Sequence, residues 1–208
     1  MSRRILLFGG TFDPPHNGHM ELLRGAVAAA RPDLVVVEPA GMPPHKHASA
    51  TPAGIRLSMC QCFLSVAESV LLDDTEILRG GKSYTLDTVH EMHRRYPDAE
   101  LFFSMGSDML LSFRQWHGYR ELLQKMTLVV HSRRGEDVEP LRAFAQSLEQ
   151  EGGRVLFAPA RILELSSTQI RAKVKRGEAL SGLVPVEVEK MIDWYGLYRP
   201  GKKEGKNT

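Results

Sequence analysis

A βαβ unit written into the first 38 residues restricts what this chain can fold into. The apolar run Ile5-Leu6-Leu7-Phe8 meets Gly9-Gly10, and a helical pattern rich in alanine and leucine runs from Met20 to Arg31. A mostly β-branched run follows at Leu34 to Glu38. Strand, helix, strand in that order calls for two parallel strands joined by a helical crossover. The alternation continues with a helix over Ala53 to Val70, a strand near Asp73 to Leu78 and a helix from Thr85 to Arg95. Next come a strand at Glu100 to Met105, a helix around Tyr119 to Gln124 and a strand at Thr127 to Ser132. A helix over Leu141 to Glu151 and a last strand near Val155 to Pro159 complete it. The pattern predicts an α/β fold, Rossmann-like and doubly wound, with a mainly parallel sheet covered by helices on both faces.

At 208 residues and 42% hydrophobic content the chain is long enough for one well-cored domain, expected over residues 1–200. Its C-terminal helical part spans about 166–198, with a short closing helix between Val184 and Tyr198, and the tail 201–208 reads as disordered. A net charge of +2 gives no cationic field of the kind a nucleic-acid binder needs. No secretory leader pattern and no apolar run of about 18 residues is seen, so the expectation is no membrane span and a cytoplasmic setting. Cys60 and Cys62 lie one residue apart in a helical pattern, point to different faces and read as reduced packing residues. Without a Cys-x-x-Cys pair, a structural zinc site has no support.

Chemistry concentrates after the predicted strands, where open parallel sheets bind ligands. Gly9-Gly10-Thr11-Phe12-Asp13-Pro14-Pro15-His16-Asn17-Gly18-His19 reads as a phosphate site. Adjacent glycines let backbone N–H groups approach an anion, and the following helix start adds unpaired donors and a positive dipole end. The third glycine of the dinucleotide fingerprint and the Gly-Lys-Ser/Thr of the P-loop are both absent. His16 and His19 stand there instead, three residues apart on one helical face. Such a pair also suits a helix cap, a core histidine or a metal. Pro39 to Lys46 is a stiff proline segment delivering a lysine. Gly106-Ser107-Asp108 offers a carboxylate suited to ribose hydroxyls, or a helix N-cap at Asp108. In Leu165 to Arg171, Ser166 or Ser167 would cap a helix whose first turn presents Thr168 and Arg171, a hydroxyl and a phosphate-binding guanidinium. The same stretch also suits an ordinary capped helix with Lys173, Lys175 and Arg176 in solvent. His45, His47, His90 and His93 read as solvated side chains, and no metal-ligating set is expected.

Taken in order, Gly9 to His19, Pro43-Pro44-His45-Lys46, Ser83-Tyr84-Thr85-Leu86-Asp87-Thr88, Gly106-Ser107-Asp108, Gln115-Trp116-His117 and Ser166 to Arg171 resemble successive motifs of the bacterial nicotinate-nucleotide adenylyltransferases. These belong to the nucleotidyltransferase superfamily marked by His-x-x-His. The resemblance covers Arg3 to Tyr198. It implies that His16, His19, Lys46 and Arg171 stabilise the reacting phosphates. Gly9, Gly10, Thr11 and Phe12 would line the ATP side through their backbone, Gly106 and Asp108 would meet the ribose, and Ser167 and Thr168 would hold the triphosphate. Thr85, Trp116 and His117 would face the pyridine ring, with Trp116 stacking on it, although a core aromatic fits Trp116 as well.

The implied reaction joins ATP and nicotinate mononucleotide, with Mg2+ travelling on the ATP phosphates, to give deamido-NAD and pyrophosphate. Rival acceptors are the amidated nicotinamide mononucleotide and phosphopantetheine, whose enzymes are typically shorter and lack the Trp116 segment. A non-catalytic nucleotide sensor would keep the phosphate loops yet could dispense with His16, His19, Lys46 and Arg171. A dehydrogenase is disfavoured by the missing third glycine. Oligomeric state and kinetic order are left open by the sequence.

Overall fold

The computed structural model describes residues 2–41, 51–132, 138–159 and 165–200. Lys46 with its Pro43 to His47 segment and the tail 201–208 lie outside the described residues.

Strand β1 (Arg4–Gly10) leads through the glycine turn to helix α1 (Asn17–Ala30), which returns to β2 (Leu34–Pro39). All six residues of β2 are buried, as its β-branched run requires of a strand covered on both faces. The chain continues through α2 (Ala53–Met59), a 3-10 turn at Cys60–Ser65, β3 (Val70–Leu72), α3 (Thr75–Arg79) and α4 (Thr85–Arg95). Then follow β4 (Glu100–Gly106), α5 (Ser107–Leu111), α6 (Tyr119–Lys125), β5 (Met126–His131), α7 (Val138–Gln150) and β6 (Arg154–Phe157), and finally α8 (Ser167–Lys175) and α9 (Val186–Trp194).

The six strands are parallel and ordered β3-β2-β1-β4-β5-β6. Period-two alternation divides their side chains between two cores. Leu6, Phe8, Val35, Val37, Phe102 and Val129 meet α1, Phe63, α8 and α9 on one face. Ile5, Leu7, Val36, Leu101, Phe103 and Leu128 meet α4, α5, α6 and α7 on the other. That is the doubly wound arrangement expected, and its direction reverses between β1 and β4. Pairing between those two strands runs only from Arg4/Glu100 to Leu7/Phe103. The flanking ladders continue to Gly10/Pro39 and Gly106/His131. The sheet therefore opens at its carboxyl edge along the line where its topology switches.

Two expectations need correction. The strand placed at Asp73 to Leu78 is instead Val70–Leu72, and residues 75–79 form a short helix. Asp73 is the cause: its Oδ1 accepts the Thr75 backbone N–H at 2.9 Å, turning the chain out of the sheet before Ile77 and Leu78 can extend it. The helix expected to reach Val70 gives way at Cys60 to the 3-10 turn, which places Cys60 and Cys62 in the core as free thiols.

Candidate functional site

At the end of β1 the backbone itself forms the wall. A Cβ on Gly10 would lie 2.8 Å from the Phe12 ring. Phe12 has φ 48°, a left-handed conformation unfavourable for a bulky side chain. Its ring is locked there, 5.5 Å from Phe8, 5.1 Å from Phe63 and 5.2 Å from His19. Arg56, only 2% exposed, lies beside the turn and donates from Nη1 to the Thr11 carbonyl at 2.8 Å and from Nη2 to the Gly41 carbonyl at 3.4 Å. One guanidinium thus ties the exit of β1 to the exit of β2. Burial lowers its pKa, and the Asp13 charge acts against that shift.

His16 occupies the N-cap of α1. Its Nδ1 accepts the His19 backbone N–H at 3.3 Å, while His19 Nδ1 accepts the His16 N–H at 3.2 Å. This is a capping box built from two imidazoles, and the rings stack with centroids 3.7 Å apart. With each Nδ1 acting as an acceptor, the neutral rings carry their protons on Nε2, which becomes the donor atom. Burial pushes the His16 pKa down to about 4, only partly offset by its backbone hydrogen bond, so the ring is neutral at pH 7. The cap and the shared helical face expected of this pair are one geometry.

Helix α8 brings the second motif to the same turn. Ser166 caps it, with Oγ accepting the Gln169 N–H at 3.2 Å and Gln169 Oε1 accepting the Ser166 N–H at 2.8 Å. Ser167 Oγ donates to the Pro14 carbonyl at 2.9 Å. Arg171 donates from Nη1 to the Asp13 carbonyl at 2.8 Å and from Nη2 to Thr168 Oγ1 at 3.2 Å. Neither α1 nor α8 carries an acidic residue in its first turn, so both positive dipole ends lack a carboxylate there. The closing segment adds further ties. Tyr198 donates its hydroxyl to Asp13 Oδ1 at 2.6 Å, and Asn17 donates from its backbone N–H to the Leu183 carbonyl and from Nδ2 to the Gly182 carbonyl, each at 2.9 Å.

The residues expected on the pyridine side lie around the start of α4 and the segment following α5. Thr85 is the first residue of α4. The exposed His117 ring lies 4.9 Å from that of Tyr84. Trp116 is half-buried, edge-on to Phe103 at 5.8 Å and 5.3 Å from Phe113, so one side of it belongs to the core. Gly106 ends β4 and holds the N-cap position of α5. Asp108 is therefore not the cap; it sits exposed in the first turn. His90 and His93 are not simply solvated. His90 Nε2 lies 2.6 Å from Glu121 Oε1 and His93 Nε2 lies 3.2 Å from the Lys125 carbonyl, joining α4 to α6.

Sequence reasoning did not single out Arg56, Asp13, Tyr198, Glu38 or His131. A lone arginine within the helical pattern expected over Ala53 to Val70 was a usable signal for Arg56; Tyr198 offered none. His131 Nε2 lies 3.0 Å from Ser104 Oγ, and burial pushes its pKa down to about 4.

The cytidylyltransferase-like family matches residues 7–173 of this chain. A probable nicotinate-nucleotide adenylyltransferase of Clostridium tetani is 34% identical over 199 residues, 95% of this chain and 100% of that one. Its counterpart in Gemmatimonas aurantiaca is 39% identical over 94% of this chain and 92% of its own. Among solved structures, Plasmodium falciparum nicotinic acid mononucleotide adenylyltransferase complexed with NaAD superposes with a TM-score of 0.76. It covers 94% of this chain and 97% of its own at 17% identity, a likeness of fold. Together with the histidine pair at the topological switch, these relationships establish that the chain belongs to the cytidylyltransferase-like family, among its nicotinate-nucleotide adenylyltransferases.

Proposed function

We propose that the protein transfers AMP from MgATP to the 5′-phosphate of nicotinate mononucleotide, forming deamido-NAD and releasing pyrophosphate. The observation that carries this reading is the convergence of two helix N-termini and a locked imidazole pair at the open end of β1. The attacking phosphate is already an anion near neutral pH, so no strong general base is required. What the reaction requires is alignment and stabilisation of charge on the α-phosphate and the departing pyrophosphate. His16 and His19 supply Nε2–H donors whose direction is set by their own backbone bonds. Thr168 and Arg171 bring a hydroxyl and a guanidinium at the start of α8, while Ser167 fixes that helix to the turn. Gly9 to Phe12 let the backbone approach the nucleotide, Asp108 beside Gly106 suits its ribose, and Lys46 adds a further cation.

Thr85, Trp116 and His117 form the wall for the pyridine nucleotide in this proposal, with the outer side of Trp116 available for stacking. Among the described residues no group of three His, Cys, Asp or Glu side chains is placed to hold a metal. Magnesium enters this proposal as part of the ATP substrate, retaining most of its waters. Among those residues no helix is long and apolar enough to cross a membrane, and a cytoplasmic setting belongs to the proposal.

The test is pyrophosphate release from MgATP with nicotinate mononucleotide, run beside the amide and phosphopantetheine. Strong preference for the acid is expected, since a site built for a full charge rejects its neutral isostere. Release with none of the three would overturn the reading.

A further inference from the structure

Helix α3 is attached to the molecule by polar contacts. None of its five residues is buried. Its Glu76 backbone N–H donates to Glu38 Oε1 at 2.9 Å, and the Thr88 hydroxyl of α4 donates to Glu76 Oε1 at 2.8 Å. A Cβ on Gly41, just past β2, would lie 2.5 Å from the Glu76 carbonyl oxygen, so α3 is also set tightly against the β2 exit. Glu38 is itself 3% exposed, with an Oε2 that is buried and has no hydrogen-bond partner. A buried carboxyl with one oxygen unsatisfied is an expensive way to hold a short helix, and expense of this kind points to a positional role.

We propose that Glu38 is a positioning residue for the pyridine-nucleotide side of the site, acting through Glu76 and Thr88 on the N-terminal turns of α4. Thr88 lies one turn beyond Thr85, so a relay that fixes it fixes the residue assigned to the substrate. This rests on the reading given under Proposed function. Burial pushes the Glu38 pKa up to about 8, with the nearby charges of Glu76 and Asp73 adding to the rise. The acid is therefore mostly neutral at pH 7 and can approach Glu76 without a clash of two full charges.

The experiment measures kcat, and KM for each substrate, in wild type, Glu38→Ala, Glu38→Gln and Thr88→Val. Circular dichroism verifies the fold of each. Glu38→Ala and Thr88→Val are expected to raise KM for nicotinate mononucleotide on the order of tenfold, with KM for ATP within about twofold. Glu38→Gln keeps an acceptor for the Glu76 N–H and is expected to restore most of the loss. Equal effects on both KM values, or no rescue by glutamine, would overturn the relay. Thr88→Val removes one hydroxyl with little change of shape, so it decides the matter even where Glu38→Ala does not fold. Wild type inactive with the pyridine nucleotide would instead overturn the functional reading beneath it.

Discussion

His16 and His19 do two things with four ring nitrogens. Each Nδ1 closes a backbone donor at the start of α1, and that use determines where the remaining proton sits. Replacing His19 with alanine removes one Nε2–H donor and uncaps the His16 N–H. The expected result is a fall in kcat of about 10²–10³, with ATP affinity by calorimetry changed far less. Near-normal turnover would remove His19 from the proposed chemistry. These residues were legible because a local motif carries their geometry: a glycine turn, a helix start and two rings three apart. Arg56 was not, because its value depends on the Thr11 and Gly41 carbonyls, brought to it by separate strand ends.

At the scale of elements, the phosphate turn is held from outside its own βαβ unit. Ser167, Arg171 and Tyr198 bond to Pro14 and Asp13 across more than 150 positions of sequence. Burial pushes the Tyr198 pKa up and the Asp13 carboxylate raises it further, so the phenol is a donor throughout the working pH range. Tyr198→Phe should lower stability by about 1–3 kcal/mol, seen as a melting temperature several degrees down. KM for ATP should rise as the turn loosens; an unchanged melting temperature would show that the hydroxyl contributes nothing. The capped start of α8 was readable from Ser166 to Arg171, whereas its docking partner was not, since a cap specifies a helix end and says nothing about what lies opposite. Helix α3 shows the converse failure. Ile77 and Leu78 suggested a strand, but the Asp73 side chain captured the Thr75 N–H first.

For the molecule as a whole, buried titratable groups set opposing responses to pH. His16 and His131 have pKa values lowered by burial from 6.5 to about 4. The unfolded chain then binds more protons than the native one in that window, and stability is lost as pH falls from 6.5 through 4. Glu38 works the other way. Its pKa rises from 4.5 to about 8, so its favourable contribution, complete below 4.5, is lost as pH climbs through 8. The groups facing it are Glu76 and Asp73, which raise the value, and Arg79, which lowers it. Melting temperatures across pH 4–9 should therefore show Glu38→Gln gaining on wild type between about 4.5 and 8. Parallel curves would mean that Glu38 titrates normally. The sheet and its two cores were readable because period-two and helical apolar patterns report burial directly. Buried polar groups such as Glu38 and His131 follow no such period, and each appears only once the strands are stacked.

The ladder between β1 and β4 stops at Leu7 and Phe103, three residues short of the ladders on either side. Phe8 to Gly10 and Ser104 to Gly106 each pair with one sheet neighbour instead of two. Under the proposed function that opening is where a nucleotide would dock, between strand ends whose positions are already set by their outer neighbours. Docking there would break no strand pairing, so the sheet itself would not have to rearrange between turnovers.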